Sequence, residues 1–186
     1  MKADVKFLIS AAAAVAMTAA GCSVSDIAGL PPDTDIDGVY SAECSITAEL
    51  DSLDDTADSE SCVFTGVLRR LGGGFWEMDI TSPETIAGLH VSADDTSITS
   101  SLGDLSFDNG LSDIPEKSPL KCVFASLDSA AASSEELQRC DEGWSMSGTA
   151  GNSDYTVIFG EDGVPLSLSC DTYGVRVDFI SFTISG

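Results

Sequence analysis

Basic residues and histidine are scarce in this chain. Eight lysines and arginines stand against 31 aspartates and glutamates, which gives a formal net charge of −23 at pH 7. Proteins that bind DNA or RNA need a basic face that displaces counterions from phosphates. Electrostatic adhesion to anionic lipid needs basic clusters as well. The composition therefore predicts no nucleic-acid partner and no attachment to a membrane through surface charge.

The residue patterns of the common catalytic sites are also missing. His90 is the single histidine, so a histidine-rich metal site cannot form. No serine lies in a G-x-S-x-G turn, and no glycine-rich phosphate-binding loop is present. Acidic residues are so abundant that any carboxylate pair suited to glycoside hydrolysis is uninformative. We therefore expect a non-enzymatic protein, and the alternative is a hydrolase with a loop-borne active site that sequence patterns do not reveal.

The longest apolar run lies at the amino end and is short for a membrane span. Lys2 and Lys6 give a positive start, and residues 7–20 are apolar apart from two hydroxyl residues. A helix that spans a bilayer needs about 20 apolar residues. A charged start, a short apolar middle and small residues at the end are typical of an export signal.

The end of this run has a more specific pattern. Ala19-Ala20-Gly21-Cys22 resembles the lipobox of bacterial lipoproteins, with alanine at position 19, where leucine is commonest. The resemblance covers the first 22 residues and implies cleavage before Cys22 and a diacylglyceryl group on its thiol. It implies a membrane-anchored envelope lipoprotein, periplasmic or surface-facing, because two or more acyl chains attach a protein stably. In that family Ser23 is compatible with sorting to the outer membrane, where the host has one. Cleavage after Ala20, which would release a soluble protein, is the alternative.

We divide the chain into four segments. Residues 1–21 are the predicted signal peptide, and residues 22–36 are predicted to form a lipid-anchored flexible tether that contains a Pro-Pro pair. The folded region is predicted to comprise a first β half, residues 37–114, and a second β half, residues 115–186. The alternative is that these halves form one single domain.

The spacing of the six cysteines suggests which of them form disulfides in the folded region. Lipidation uses one of them, and exported proteins retain disulfides. Seventeen residues separate Cys44 from Cys62, and seventeen separate Cys122 from Cys140. This repeated spacing predicts two disulfides within those pairs and related halves, although the spacing can also be coincidental. Cys170 is expected to be a buried apolar side chain, with a reactive or intermolecular thiol as the alternative.

Short apolar or alternating runs fill the folded region, separated by turns rich in Gly, Asp, Asn and Pro. About ten strands and almost no helix predict an antiparallel β-sandwich or barrel. One short helix is predicted over residues 129–138, which contain an alanine run and two glutamates. The predicted strands are residues 39–50, 63–68, 75–80, 86–91, 96–102, 120–127, 144–150, 155–159, 166–170 and 175–184.

Three aspartates at alternate positions form a candidate calcium site. Asp33, Asp35 and Asp37 precede Gly38 and resemble the first half of an EF-hand loop. The twelfth position of such a loop would be Cys44, so the usual bidentate glutamate is missing there. The two interpretations are a calcium site completed by distant residues and a solvated acidic linker.

These features predict a lipid-anchored β protein of the cell envelope. Its expected partners are the membrane, through the lipid, and an envelope protein or a small ligand that the sequence does not identify. A structural role is also compatible with the pattern. The alternative to a non-enzymatic protein is an envelope hydrolase with a loop-borne active site.

Overall fold

The computed structural model describes residues 31–50 and 60–185. The predicted signal peptide, Cys22 and most of the predicted tether lie outside the described residues. Within them, no helix is long and apolar enough to cross a membrane.

Eleven antiparallel strands form one continuous sheet in this part of the chain. The strands are β1 (Tyr40–Leu50), β2 (Glu60–Gly72), β3 (Phe75–Ser82), β4 (His90–Ala93), β5 (Ser97–Leu102), β6 (Leu105–Gly110), β7 (Gln138–Cys140), β8 (Gly143–Ala150), β9 (Ser153–Phe159), β10 (Pro165–Cys170) and β11 (Val175–Ile184). Their order across the sheet is β6-β5-β4-β3-β2-β1-β11-β10-β9-β8-β7. The prediction of a mostly β, antiparallel fold is confirmed. The sheet is unclosed, since β6 and β7 lie at its two ends.

The two predicted halves contribute the two sides of this sheet. Strands β1–β6 come from the first half and β7–β11 from the second, and the halves meet where β1 pairs with β11. Ile46 of β1 lies opposite Val177 of β11, and both side chains are fully buried. One apolar core therefore continues across the boundary between the halves.

Alternation along the strands decides which face of the sheet is buried. In β1 the buried side chains are Tyr40, Ala42, Cys44, Ile46 and Ala48, and the residues between them are half-buried or exposed. Successive strand side chains point to opposite faces, so this spacing places the apolar set on one side. The same period of two buries one face of β3 and β9.

A helix, α1 (Pro119–Ala131), covers part of the buried face. It packs against β8–β11 and against a short 3-10 helix at Asp35–Asp37. Ile36 of that 3-10 helix is 2% exposed and belongs to the apolar core. The folded domain therefore includes the last residue of the predicted tether.

The position of α1 overturns two predictions. The predicted strand over residues 120–127 is helical, and the predicted helix over residues 129–138 overlaps α1 only at its end. Val123 and Leu127 are four residues apart and both buried, as expected for one face of a helix. Pro119 fits the first helical turn, where its missing N–H costs nothing. The segment after α1 is mostly polar and offers no apolar face to bury.

Three smaller differences concern short or exposed strands. In the predicted strand over residues 86–91, turns continue to residue 88 and β4 begins only at His90. Strand β6 was missed because its sequence Leu-Ser-Phe-Asp-Asn-Gly is largely exposed and ends in turn-forming residues. Strand β7 has three residues, too few to establish a period.

Candidate functional site

A cavity of about 170 Å³ lies between α1 and the part of the sheet formed by β3–β5. Its apolar walls include Trp76 from β3, Ile98 from β5 and Phe124 from α1. The rings of Trp76 and Phe124 stack, with their centroids 5.4 Å apart and their planes 7° from parallel. All three side chains are buried, so these walls of the cavity are part of the apolar core.

Small residues from three separate segments leave this space open. Gly74, Ala93 and Ala125 line the cavity and come from the β2–β3 turn, β4 and α1 respectively. Gly74 has a φ of +74°, and a β-carbon there would overlap a carboxylate oxygen of Asp95. A larger residue at this position would therefore be strained and would displace part of the cavity rim.

Asp128 of α1 fixes the helix to the β2–β3 hairpin beside the cavity. Its Oδ2 accepts a hydrogen bond of 2.7 Å from Nε1 of Trp76, and its Oδ1 accepts one of 3.3 Å from the backbone N–H of Gly74. Its Oδ1 also accepts hydrogen bonds from Nε of Arg70 at 3.3 Å and from Nη2 at 3.2 Å. One carboxylate thus satisfies donors from three residues of the hairpin.

Arg70 connects this network to the start of the domain. Its Nη1 donates to the backbone carbonyl of Gly38 at 3.0 Å and to that of Asp37. Its guanidinium carbon lies 5.7 Å from the ring centroid of Trp76, within the range of a cation–π contact. Arg70 is only 4% exposed, so its charge depends on these partners for compensation.

Tyr40 lies beside this hydrogen-bonded network, but its hydroxyl takes no part in it. It is 1% exposed, and its hydroxyl has no hydrogen-bond partner among the described residues. Its ring lies 4.5 Å from that of Phe182 and meets Trp76 edge-on at 6.0 Å. Burial raises the pKa of Tyr40 above its ordinary value, so the hydroxyl stays protonated.

His90 lies on the opposite face of the sheet. Its Nδ1 is 2.7 Å from Oδ1 of Asp79, a carboxylate that also accepts a hydrogen bond from Arg69. The hydrogen bond from Arg69, followed by that from His90, lowers the pKa of Asp79. Within the described residues, no serine hydroxyl hydrogen-bonds to His90. The structure therefore does not assemble a serine–histidine–aspartate arrangement there.

The strand register does not bring Cys44 and Cys62 together. Cys44 of β1 lies opposite Gly66 of β2, whereas Cys62 lies opposite Ala48. The two cysteines are offset by four residues, or roughly 13 Å at about 3.3 Å per residue. Disulfides join residues whose Cα atoms are within about 7 Å. This register is incompatible with the pair predicted from the spacing.

The second predicted pair, Cys122 and Cys140, lies on two different elements and stays a prediction. Cys122 lies on the buried face of α1, one helical turn from Ser126, whose Oγ is 3.2 Å from Sγ of Cys170 in β10. Cys140 lies in the end strand β7, opposite Gly143, and is half-buried. The five described cysteines form no disulfide in the structure. Sequence reasoning missed the Cys122–Cys170 contact because it assigned residues 120–127 to a strand.

The three aspartates of the candidate calcium site are not gathered into a ligand set. No group of three or more His, Cys, Asp or Glu side chains suited to a metal occurs in residues 31–50 and 60–185. Asp33, Asp35 and Asp37 instead border a broad, open cleft, together with Glu135 and Glu136. The geometry gives calcium binding no support.

The comparisons with solved structures give distant likenesses. No family model and no curated protein matches the chain. An uncharacterized conserved protein from Thermus thermophilus is 11% identical over 82% of both chains, with a TM-score of 0.45. A LolA superfamily protein from Nitrosomonas europaea is 9% identical over 81% of this chain and 87% of its own, with a TM-score of 0.37. A putative outer membrane lipoprotein-sorting protein domain from Vibrio parahaemolyticus is 9% identical over 80% and 86%, with a TM-score of 0.39. Likenesses at this level bear on neither the site nor the activity.

Proposed function

We propose that this protein is a non-enzymatic binding protein of the cell envelope that holds a small apolar ligand between α1 and β3–β5. The observation that carries the proposal is the cavity of about 170 Å³ walled by Trp76, Ile98 and Phe124. Ligand sites in proteins are typically concave, mostly apolar and bordered by a few polar groups. This cavity is likewise mostly apolar and bordered by a few polar groups, but it is smaller than most such sites.

The size of the cavity limits the occupant. An apolar cavity of about 150 Å³ in another protein stays dry and binds benzene. Sites for drug-sized ligands usually measure about 300–1,000 Å³. A space of about 170 Å³ therefore suits a single ring or a short alkyl segment, and any larger part of the ligand would extend into solvent.

The polar groups at the rim are already occupied. Nζ of Lys121 donates to the carbonyls of Leu111 and Ile114, at 3.2 and 3.1 Å, and to Oε1 of Glu116 at 2.8 Å. Asp128 is occupied by the hairpin donors. Binding should therefore depend on apolar burial, at about 0.8 kcal/mol for each buried CH₂ group.

The charge at the rim should select against anions. Asp94 and Asp95 both border the cavity. Hydrogen bonds from the hydroxyl and N–H of Thr96 and from the N–H of Ser97 lower the pKa of Asp94 to about 2, so it is ionised at neutral pH. Lys121 is paired with Glu116 and does not offset this charge fully. We therefore expect a neutral or cationic ligand.

A lipid on Cys22 would place this cavity at a membrane surface. That anchor follows from the lipobox resemblance and lies outside the described residues. The catalytic alternative is less favoured, because His90 and Asp79 lie on the face of the sheet away from the cavity and have no serine partner there.

Binding can be tested with toluene and hexanol as neutral probes and with benzoate and hexanoate as anionic probes. We expect the neutral probes to raise the melting temperature and to change the fluorescence of Trp76 in a Trp144→Phe background. Their Kd should be about 1 mM or tighter, since burial of roughly six carbons is worth a few kcal/mol. The anions should bind more weakly.

A matched pair of alanine substitutions identifies the site. Ala125→Leu places a larger side chain in the cavity wall and should weaken toluene binding at least tenfold. Ala132→Leu makes the same change at the end of α1, outside the cavity lining, and should leave binding unchanged. No binding of either neutral probe, or equal binding by the two variants, would contradict the proposal.

A further inference from the structure

Two cysteines meet where α1 rests on β10. Cys122 and Ser126 are one helical turn apart on the buried face of α1, and Oγ of Ser126 lies 3.2 Å from Sγ of Cys170. Residues four apart on a helix are neighbours on its surface. Cys122 therefore lies one helical turn from the residue that contacts Cys170, on the same buried face of α1. Both residues are almost fully buried, at 5% and 0% exposed.

We propose that Cys122 and Cys170 form a disulfide that joins α1 to β10 when the chain folds in an oxidising compartment. Such a bond needs Cα atoms within about 7 Å and side chains that face each other. Cys122 lies on the face of α1 that packs on β10, and Cys170 of β10 contacts that same face at Ser126, so the two side chains face each other. The proposed cross-link is independent of ligand binding.

The other cysteines offer no comparable partner. Cys44 lies in β1 opposite Gly66 of β2, and Cys62 lies four residues further along the same pair of strands. Cys140 lies at the far end of the sheet in β7. The packing of α1 on β10 thus favours the pairing of Cys122 with Cys170 among the described cysteines.

The pKa shifts of the two thiols agree with their lying close to each other. The hydrogen bond from Cys170, and then those from Ser153 and Ser126, lower the pKa of Cys122, although burial opposes this. The same bond to Cys122, together with burial, raises the pKa of Cys170.

Oxidation requires exchange with a protein or low-molecular-weight disulfide. One cysteine thiolate attacks a sulfur of that oxidant, whose S–S bond breaks and whose other half leaves as a thiolate that takes up a proton. The second cysteine, as its thiolate, then attacks the mixed disulfide and expels the remaining half as a thiol. Two cysteines are oxidised and one external disulfide is reduced to two thiols. Because both sulfurs are buried in the folded protein, exchange should precede the docking of α1 on the sheet.

The test is oxidative refolding followed by peptide mapping. The chain is fully reduced in denaturant, refolded with reduced and oxidised glutathione, and then unfolded again without reductant in the presence of iodoacetamide, so that buried free thiols are alkylated as well. We expect one linked peptide pair, Cys122–Cys170, with Cys44, Cys62 and Cys140 alkylated. Alkylation of both Cys122 and Cys170 in the refolded and then denatured protein, or a link from either one to another cysteine, would overturn the proposal.

Thermal unfolding provides a second readout. The bond would close a loop of nearly 50 residues, so the reduced, refolded protein should melt about 10 °C below the oxidised form. Cys170→Ala should remove this dependence on redox state, whereas Cys62→Ala should retain it. The mapping of the wild-type chain stays decisive if Cys170→Ala does not fold. Equal melting temperatures for the oxidised and reduced wild-type forms would also count against the proposal.

Discussion

Arg70 and Asp128 form an ion pair that crosses from the sheet to the helix, with Nη2 and Oδ1 3.2 Å apart. The guanidinium side chain is 5% exposed and the carboxylate side chain 28% exposed. The cost of desolvating two charges means that such a pair is not itself proof of stability. Removal of one partner, however, leaves the other buried and uncompensated.

Asp128→Ala should therefore lower the free energy of unfolding by about 3–5 kcal/mol. The variant loses the acceptor for Arg70, Trp76 and the N–H of Gly74 at the same time. Asp178→Ala is the matched control, because it removes a carboxylate 2.8 Å from Arg176 in a pair whose side chains are 50–60% exposed. The control should cost less than about 1 kcal/mol. Urea denaturation measures both values, and similar losses in the two variants would argue against a special role for Asp128.

Tyr40→Phe should stabilise the protein by about 1 kcal/mol. The hydroxyl of Tyr40 is buried without a partner among the described residues, and an unsatisfied buried polar group costs about 1–3 kcal/mol. The ring contacts with Trp76 and Phe182 remain in the variant. Tyr173→Phe, at a half-buried tyrosine, serves as the control and should change stability little. A loss of stability in Tyr40→Phe, measured by urea denaturation, would show that the hydroxyl is satisfied in solution.

The hydrogen bonds accepted by Asp94 should make part of the free energy of unfolding depend on pH in the acid range. Hydrogen bonds from Thr96 and Ser97 lower the pKa of Asp94 to about 2, below the value of about 3.9 expected in the unfolded chain. A lowered folded-state pKa gives stability that is fully present above pH of about 4 and is lost as the pH falls through about 2. Asp94→Asn should therefore lower the melting temperature at pH 6 and approach the wild type near pH 2. A constant difference between the two proteins across this range would exclude the linkage.

Cys22→Ala should abolish lipid labelling and the partition of the protein into detergent. One acyl chain binds a membrane only marginally, so the diacylglyceryl group is what the anchor requires. Metabolic labelling with a fatty acid and Triton X-114 partition measure the two effects, and Ser23→Ala provides a neighbouring control that should retain both. A mature chain that begins with unmodified Gly21 would contradict the lipoprotein prediction.

The sequence predicted β1, β3 and β9 well because each of these strands buries one face. Phe75–Ser82 alternates buried and half-buried residues over Trp76, Met78 and Ile80, and this pattern needs no information from elsewhere in the chain. Helix α1 was misread because residues 120–127 satisfy two periods at once. Cys122 and Phe124 alternate as in a strand, whereas other apolar residues of the run recur at helical spacing.

The cavity and the cysteine contact could not be predicted in the same way. Gly74, Ala93 and Ala125 lie in three distant segments, and only the packing of α1 beside β3–β5 makes them neighbours. Equal spacing between cysteines carries no information on strand register. In the structure, Cys44 lies opposite Gly66 rather than Cys62. Properties that depend on the docking of one element on another cannot be predicted from local sequence patterns.

The unclosed sheet has a consequence for aggregation. Strand β6 has no neighbour on its outer side among the described residues, and its Leu105 and Phe107 are each 62% exposed. A free strand edge can template pairing with another chain. The net charge of −23 opposes such an approach between copies, over a Debye length of about 10 Å at 0.1 M salt that falls to about 3 Å at 1 M. The acidity of the chain thus acts as a colloidal barrier that protects its open edges, and that barrier weakens as salt is added.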